Sequence, residues 1–415
     1  MNQCIGGGHM ALGSTVRDLR RSNRARAFRS IVLAGETTRA EIAASCGLST
    51  ATITNVVTDL IADGLVEEVG SVPSNGGRPI ARLSPRPQGA YLIGADVGEN
   101  GVLVELFDLS LSTVDRVFTE LPTNVASPAD VGRSLTDAVE TILGRRPDIR
   151  DRVMGMGLGV PGLVERTDGR TTIYAQNLGW APTDVNDLVT IPDLPVQADN
   201  GAKTLTMAEQ WFGAARGVDD CVVVLVGRGI GAGIISDSRL LRGRASSAGE
   251  FGHTKISVGG PVCSCGGRGC IEAHAGGGSL VARWREVAAA SGDHLDDLGD
   301  EEALARLLEA AADGAEAAAA IVDEAVDRLG IGLANLVNLT NPEKIILGGW
   351  AGMPLQTARG PQLTEAIRRH SLARPGEQFT LEPAAMGGDA VALGAALLSL
   401  EQLIEGNTPL PKVPT

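Results

Sequence analysis

Apolar positions in the first ninety residues recur at helical spacing before they begin to alternate. Across residues 17–33, Leu19, Ala25, Phe28, Ile31 and Val32 fall on one side of a helix with arginines elsewhere, and Gly35 stops it. Residues 37–66 then read as two helices joined by a tight turn. Thr37 or Thr38 caps the first, Cys46, Gly47 and Leu48 turn the chain, and Ser49 caps the second over residues 49–63. Ile53, Val56, Val57, Leu60 and Ile61 make the apolar face of that second helix. Past Gly64 the spacing becomes that of strands, from Leu65-Val66 outward and back along residues 80–83, with the turn PSNGGRP between them. A helix-turn-helix followed by a hairpin wing is predicted over residues 16–84. Residues 1–15 are Gly-rich, lack periodicity and are expected to be a disordered leader.

Pro85 and Pro87 mark a linker over residues 85–88, and a different pattern occupies residues 89–404. AYLIGADVGENGVLVELFDL is an apolar strand, a Gly turn holding Asp96 and Gly98, and a second strand; CVVVLVGRGIGAGIISDSRLLRG repeats the arrangement from Cys221. Between them lie a buried strand ending at Pro161-Gly162 and the segment LPVQADNGAKTLTMAEQWFG. The latter reads as a strand ending at Val196, a turn at Asp199-Asn200-Gly201 and a helix over residues 202–212. Residues 302–337 predict two helices broken near Gly314, residues 344–347 a strand, and the chain closes with a helix to 404 and a frayed tail, 405–415. Strands alternating with helices make this part α/β.

At 415 residues the chain divides into two or three domains, and 43% hydrophobic content supplies ample core. No apolar run reaches the length of a membrane span and no signal-peptide core stands at the start, so a cytoplasmic protein with no membrane partner is expected. Three of the six cysteines share one loop and the rest have no pairing logic, which argues against a disulfide framework. The net charge of −14 is unevenly spread: residues 1–90 hold ten Arg, no Lys and seven acidic residues, about +3, and the remainder carries about −17. One end suits a polyanion that the rest repels.

The chemistry concentrates in residues 248–272, AGEFGHTKISVGGPVCSCGGRGCIE. His253, Cys263, Cys265 and Cys270 form a ligand set for Zn²⁺, and four closed positions make a structural site, one ion per chain. Glu250 and Glu272 frame this loop as acceptors for a polar ligand. In the helix-turn-helix, Ser49, Thr50, Thr52, Thr54 and Asn55 offer short polar side chains to a major groove, and Arg78 at the wing tip suits a minor groove.

Taken together, these features resemble the ROK family of repressors, open reading frames and kinases, in its branch of transcriptional regulators. The resemblance spans about residues 16–404. It is carried by Glu250-Phe251-Gly252-His253, similar to the family's E-x-G-H sugar motif, and by Cys263-Ser264-Cys265-Gly266 through Gly269-Cys270-Ile271-Glu272, similar to its zinc signature. It implies a two-lobed actin-like, sugar-kinase-like (ribonuclease H-like) ATPase fold behind a winged helix-turn-helix. It also implies sugar contacts at Asn200, Glu250, His253 and Glu272. Family kinases carry P-V-x-V-E-N-D with the final Asp as general base, and ungapped alignment puts Gly201 there. Glu99 stands in the first phosphate turn where a small donor is usual, and Arg228 replaces Thr in the second. The expected function is therefore a sugar-responsive regulator of carbohydrate genes, a repressor without kinase activity. Its partners would be a palindromic DNA operator, a sugar or sugar phosphate, and further copies of itself in a homodimer or homotetramer. The alternative is a bifunctional DNA-binding kinase that phosphorylates a hexose with ATP; a third reading has the N-terminal module contact protein.

Overall fold

Thr15 opens the first helix with a reciprocal cap, its hydroxyl accepting from the Asp18 N–H while the Asp18 carboxylate accepts from the Thr15 N–H at 2.9 Å. The structure, a computed structural model, describes residues 15–73, 79–121, 126–175, 178–292 and 295–406. Residues 1–14 of the expected leader and most of the tail lie outside them, whereas Thr15, read as part of that leader, belongs to the first helix as its cap. Helix α1 (Val16–Ala34) stops at Gly35, α2 (Arg39–Cys46) is capped by Thr38 with Glu41 reaching back, and α3 (Thr50–Ala62) is capped by Ser49. Gly47, at φ 62°, turns α2 into α3. Phe28 and Ile31 of α1, Ile42 of α2, and Ile53, Val57 and Leu60 of α3 are buried. Val56 and Ile61 are only half-buried, so the core-facing stripe of α3 is narrower than the apolar pattern suggested.

Strands β1 (Thr37–Thr38), β2 (Val66–Val72) and β3 (Ile80–Pro85) form the wing in the order β1-β3-β2, with Val72 opposite Ile80. Its tip, including Arg78, lies outside the described residues. Pro85 closes β3 opposite Val66, and Pro87–Gly89 is a 3₁₀ turn, so the segment read as a linker is held in place here.

The chain then lays down β4 (Tyr91–Val97), β5 (Gly101–Asp108) and β6 (Thr113–Glu120) as an antiparallel meander, helix α4 (Pro128–Arg145), and β7 (Val153–Val160) parallel to β4. A small sheet of β8 (Leu163–Thr167), β9 (Arg170–Tyr174) and β10 (Thr183–Asp184) precedes the short helix α5 (Val185–Leu188). Strand β11 (Val196–Asn200) completes the sheet β11-β7-β4-β5-β6. There is no separate turn at Asp199-Asn200-Gly201: the strand passes directly into α6 (Gly201–Phe212), because the Asn200 side chain caps the helix from the last strand position.

A second five-stranded sheet follows, made of β12 (Cys221–Val226), β13 (Ile230–Ser236), β14 (Arg239–Leu240), β15 (Lys344–Gly348) and β16 (Thr380–Pro383), in the order β14-β13-β12-β15-β16. Helices α7 (Ile271–Ala275), α8 (Gly277–Ala290), α9 (Asp300–Ala312), α10 (Glu316–Thr340), α11 (Gly352–His370) and α12 (Ala373–Gly376) belong to this half, and α13 (Ala390–Ile404) ends the described chain.

Two compact units result. One contains the described residues up to Gly159, Asp184–Asp199 and those from Ala392; the other contains Val160–Thr183 and Asn200–Val391. In the first, the residues of β7 up to Gly159 are buried, as befits an interior strand lying between β11 and β4. In the second, Val222, Val224, Ile345 and Leu347 of the sheet pack with Leu280, Leu304, Leu307, Val322, Leu329, Leu333 and Ile367 from α8 to α11. Each such aliphatic side chain contributes about 1.5–3 kcal/mol on burial.

Candidate functional site

The first residues of β13 organise the candidate site. On one side the Cβ of Ala202, in the first turn of α6, packs against Gly231, and Asn200 lies beside it. On the other side Gly249 and Gly252 sit so close to the carbonyls of Ala232 and Ile230 that a Cβ at either position would collide with them. From below, the Ile230 N–H donates to Glu272 Oε2 at 3.1 Å. Asn200, Glu250, His253 and Glu272, far apart in sequence, are thus gathered in one unit around three residues of one strand.

Each of the four has a distinct setting. Asn200 Oδ1 accepts from the Ala202 N–H at 2.8 Å, and its Nδ2 donates to the Gly162 carbonyl at 2.6 Å, which fixes the orientation of the amide. Glu272 accepts from Ile230 on one oxygen and from the Ser264 hydroxyl, at 2.7 Å, on the other. Glu250 is half-buried, and burial pushes its carboxyl above the ordinary value, opposed by the charges of Lys203 and His253 and reinforced by Glu272. A carboxylate held in such a place gains when hydroxyl donors replace the water it has lost.

His253 joins this acceptor set to the cysteine loop. Its Nδ1 stands 3.6 Å from Cys263 Sγ, Cys265 and Cys270 sulfurs are 3.7 Å apart, and the four ligand atoms lie within 4.8 Å of one another. Zinc bonded at about 2.3 Å to sulfur and about 2.0 Å to nitrogen spans a tetrahedron with edges of roughly 3.5–3.8 Å. The donor set and its spacing therefore fit a structural Cys₃His ion. Burial pushes the Cys263 thiol up to about 12, so holding it as a thiolate calls for a nearby cation. Cys265 is shifted the other way, first by a hydrogen bond from the Gly267 backbone.

Sequence reasoning overlooked Lys203, which is 1% exposed on α6 and donates to the Ser246 carbonyl beneath the Glu250 loop. Its signal was the one cation in a helix whose buried residues also include Thr204, Thr206 and Glu209. Asp300 was overlooked as well. Its carboxylate pairs with Arg228, and with Arg285 Nη1 at 3.0 Å, so the arginine in the second glycine turn is engaged by the protein's own acid. The first turn of α8 adds backbone bonds from Gly277 to Gly227 and from Gly278 to Arg228, at 2.8 and 3.0 Å. In the first glycine turn Glu99 remains half-buried.

In the helix-turn-helix the five polar residues of α3 separate into two roles. Ser49 caps the helix and pairs with the Thr52 hydroxyl at 2.9 Å, and Thr54 donates to the Thr50 carbonyl. Thr50 and Asn55 are exposed at the N-terminal end of α3, with no side-chain hydrogen bond among the described residues.

No helix among the described residues is long and apolar enough to cross a membrane. Comparison with known proteins agrees with the geometry. The xylose repressor of Caldicellulosiruptor bescii is 31% identical over 88% of this chain and 92% of its own length. A solved ROK family transcriptional regulator, a homologue of the E. coli MLC protein, superposes with a TM-score of 0.74 and 25% identity over 94% of this chain and 98% of its own. A ROK family glucokinase from Streptomyces griseus, solved with glucose and AMPPNP, gives a TM-score of 0.64 and 28% identity over 74% of this chain and 99% of its own. The ROK family model matches residues 92–402, three quarters of the sequence, and the chain belongs to the ROK family.

Proposed function

We propose that the protein is a sugar-responsive, DNA-binding transcriptional repressor that has lost kinase chemistry. The observation that carries this reading is the N-terminus of α6. Asn200 is kept and caps the helix, while Gly201 stands where the family's kinases hold the base that takes the hydroxyl proton. Removing a general base costs about 10²–10⁴ in rate. Arg228, paired with Asp300, and Glu99 make the two glycine turns poor hosts for phosphates. Hydrogen-bonding groups for sugar hydroxyls survive in Asn200, Glu250, His253 and Glu272, so binding without turnover is what this set supports.

His253, Cys263, Cys265 and Cys270 would hold one structural zinc per chain, and the ion would supply rigidity. With Nδ1 of His253 in the knot, its Nε2–H is left as a donor to a hydroxyl, which reconciles the metal and sugar roles of one ring. Thr50 and Asn55, with Ser49, Thr52 and Thr54 behind them, would enter a major groove, and Arg78 would reach the adjacent minor groove. A palindromic operator would be read by a dimer or tetramer of the chain, with sugar shifting its affinity. The names of the relatives, a xylose repressor and a transcriptional regulator, support that assignment.

A coupled ATPase assay with saturating pentoses and hexoses tests the loss of chemistry. No sugar-dependent turnover is expected. Turnover of about 1–10³ per second, the ordinary enzyme range, would establish the bifunctional kinase instead.

A further inference from the structure

We propose that Lys255 is the outer charge partner of the four-ligand knot: it holds Cys270 in place and offsets the charge left on the site when zinc is bound. This rests on the zinc reading above. Three thiolates and a neutral imidazole around a divalent ion leave one net negative charge. Among the described residues, Lys255 faces it. Its Nζ donates to Cys270 Sγ at 2.7 Å.

The backbone places the ammonium there. Lys255 and Cys270 form an isolated antiparallel bridge, which sends both side chains to one face of the pairing, and the neighbouring Ile256 N–H donates to the Gly269 carbonyl at 2.9 Å. Room for the ammonium comes from Gly267, where a Cβ would collide with Nζ. Burial does not drive the arrangement, since Lys255 is exposed overall and gives up side-chain freedom to reach the sulfur. The other basic side chain of the loop, Arg268, turns to the Gly260 carbonyl at 3.3 Å instead.

A hydrogen bond from a cation stabilises the thiolate, which is the form that binds metal. Outer partners of metal ligands typically carry about 10–100-fold of metal affinity. Because Cys270 directly precedes α7, fixing its sulfur also fixes the start of the helix that carries Glu272.

The test is zinc competition against a chromophoric chelator at fixed pH, using the zinc-loaded full chain and its Lys255→Gln and Lys255→Arg variants, with circular dichroism as the check on folding. Lys255→Gln should lose about 10-fold or more in zinc affinity while keeping its fold, and Lys255→Arg should stay within about threefold of the parent. Equal affinity in all three overturns the proposal, and so does equal loss in Gln and Arg, which would make charge irrelevant. Metal analysis of the parent protein separates the two levels: a parent without zinc refutes the metal site itself, and a zinc-bound parent with an indifferent Lys255 refutes only this role.

Discussion

Glu250 sits where burial opposes its charged form. Burial raises its carboxyl in the folded chain above the ordinary value near 4.5 that the unfolded chain retains. The folded state therefore binds the proton more tightly, and this contribution to stability is complete below the unfolded value and is lost as pH rises through the folded one. Glu250→Gln cannot ionise and escapes the loss. In urea titrations at pH 4 and at pH 7.5, the variant should gain on the parent as pH rises, although it gives up an acceptor for sugar. Parallel pH dependences would contradict the account. Gly201 offers the complementary case. A Cβ there would find its nearest neighbour, Leu225, at 3.8 Å, so the position is open. An acidic residue in a first helical turn is favoured by about 0.3–1 kcal/mol. Gly201→Asp should thus be at least as stable as the parent in urea, and a loss beyond about 1 kcal/mol would mean that the backbone there is less tolerant than it looks.

Among the elements, β7 shows how the first unit is assembled. Two glycines of this stretch, which reads as a buried strand in the sequence, face α13. A Cβ on Gly157 would collide with the Ala395 carbonyl, and one on Gly94 of β4 with the Ala392 carbonyl, while Gly155 faces Ser399. Residues 392, 395 and 399 lie on one stripe of α13, which rests directly on the sheet. Further along the same helix Glu401 pairs with Arg29 of α1 at 3.6 Å, so the last helix touches both the sheet and the helix-turn-helix module. Gly157→Ala is expected to cost about 1–3 kcal/mol by overpacking, read as a lower urea midpoint. A variant as stable as the parent would show that the helix is free to lift. Much of this was legible beforehand. Capping residues Thr38 and Ser49, the turn at Gly47, both strand–glycine–strand units and the four metal-type ligands follow from local patterns, because each depends on neighbours in the chain. What escaped the sequence depends on partners distant in the chain: Lys203 beneath the Glu250 loop, Asp300 on Arg228 and Lys255 on Cys270.

At the scale of the molecule, charge and chemistry divide the labour. An N-terminal module of about +3 carries the exposed end of α3, and a remainder of about −17 carries the acceptor cluster and the metal-type loop. The positive module is suited to DNA and the acidic body would limit non-specific binding, so on the proposed reading sequence readout and sugar readout would reside in different parts of one chain and be coupled.

Duplexes selected from a random library by the zinc-loaded full chain, then titrated by fluorescence anisotropy in the presence of single pentoses and hexoses, would reveal this coupling. Selection should converge on an inverted repeat, and one sugar should change affinity for it by about 5–150-fold, the usual range of allosteric coupling. An affinity indifferent to every sugar, or a selection that yields no inverted repeat, would contradict it.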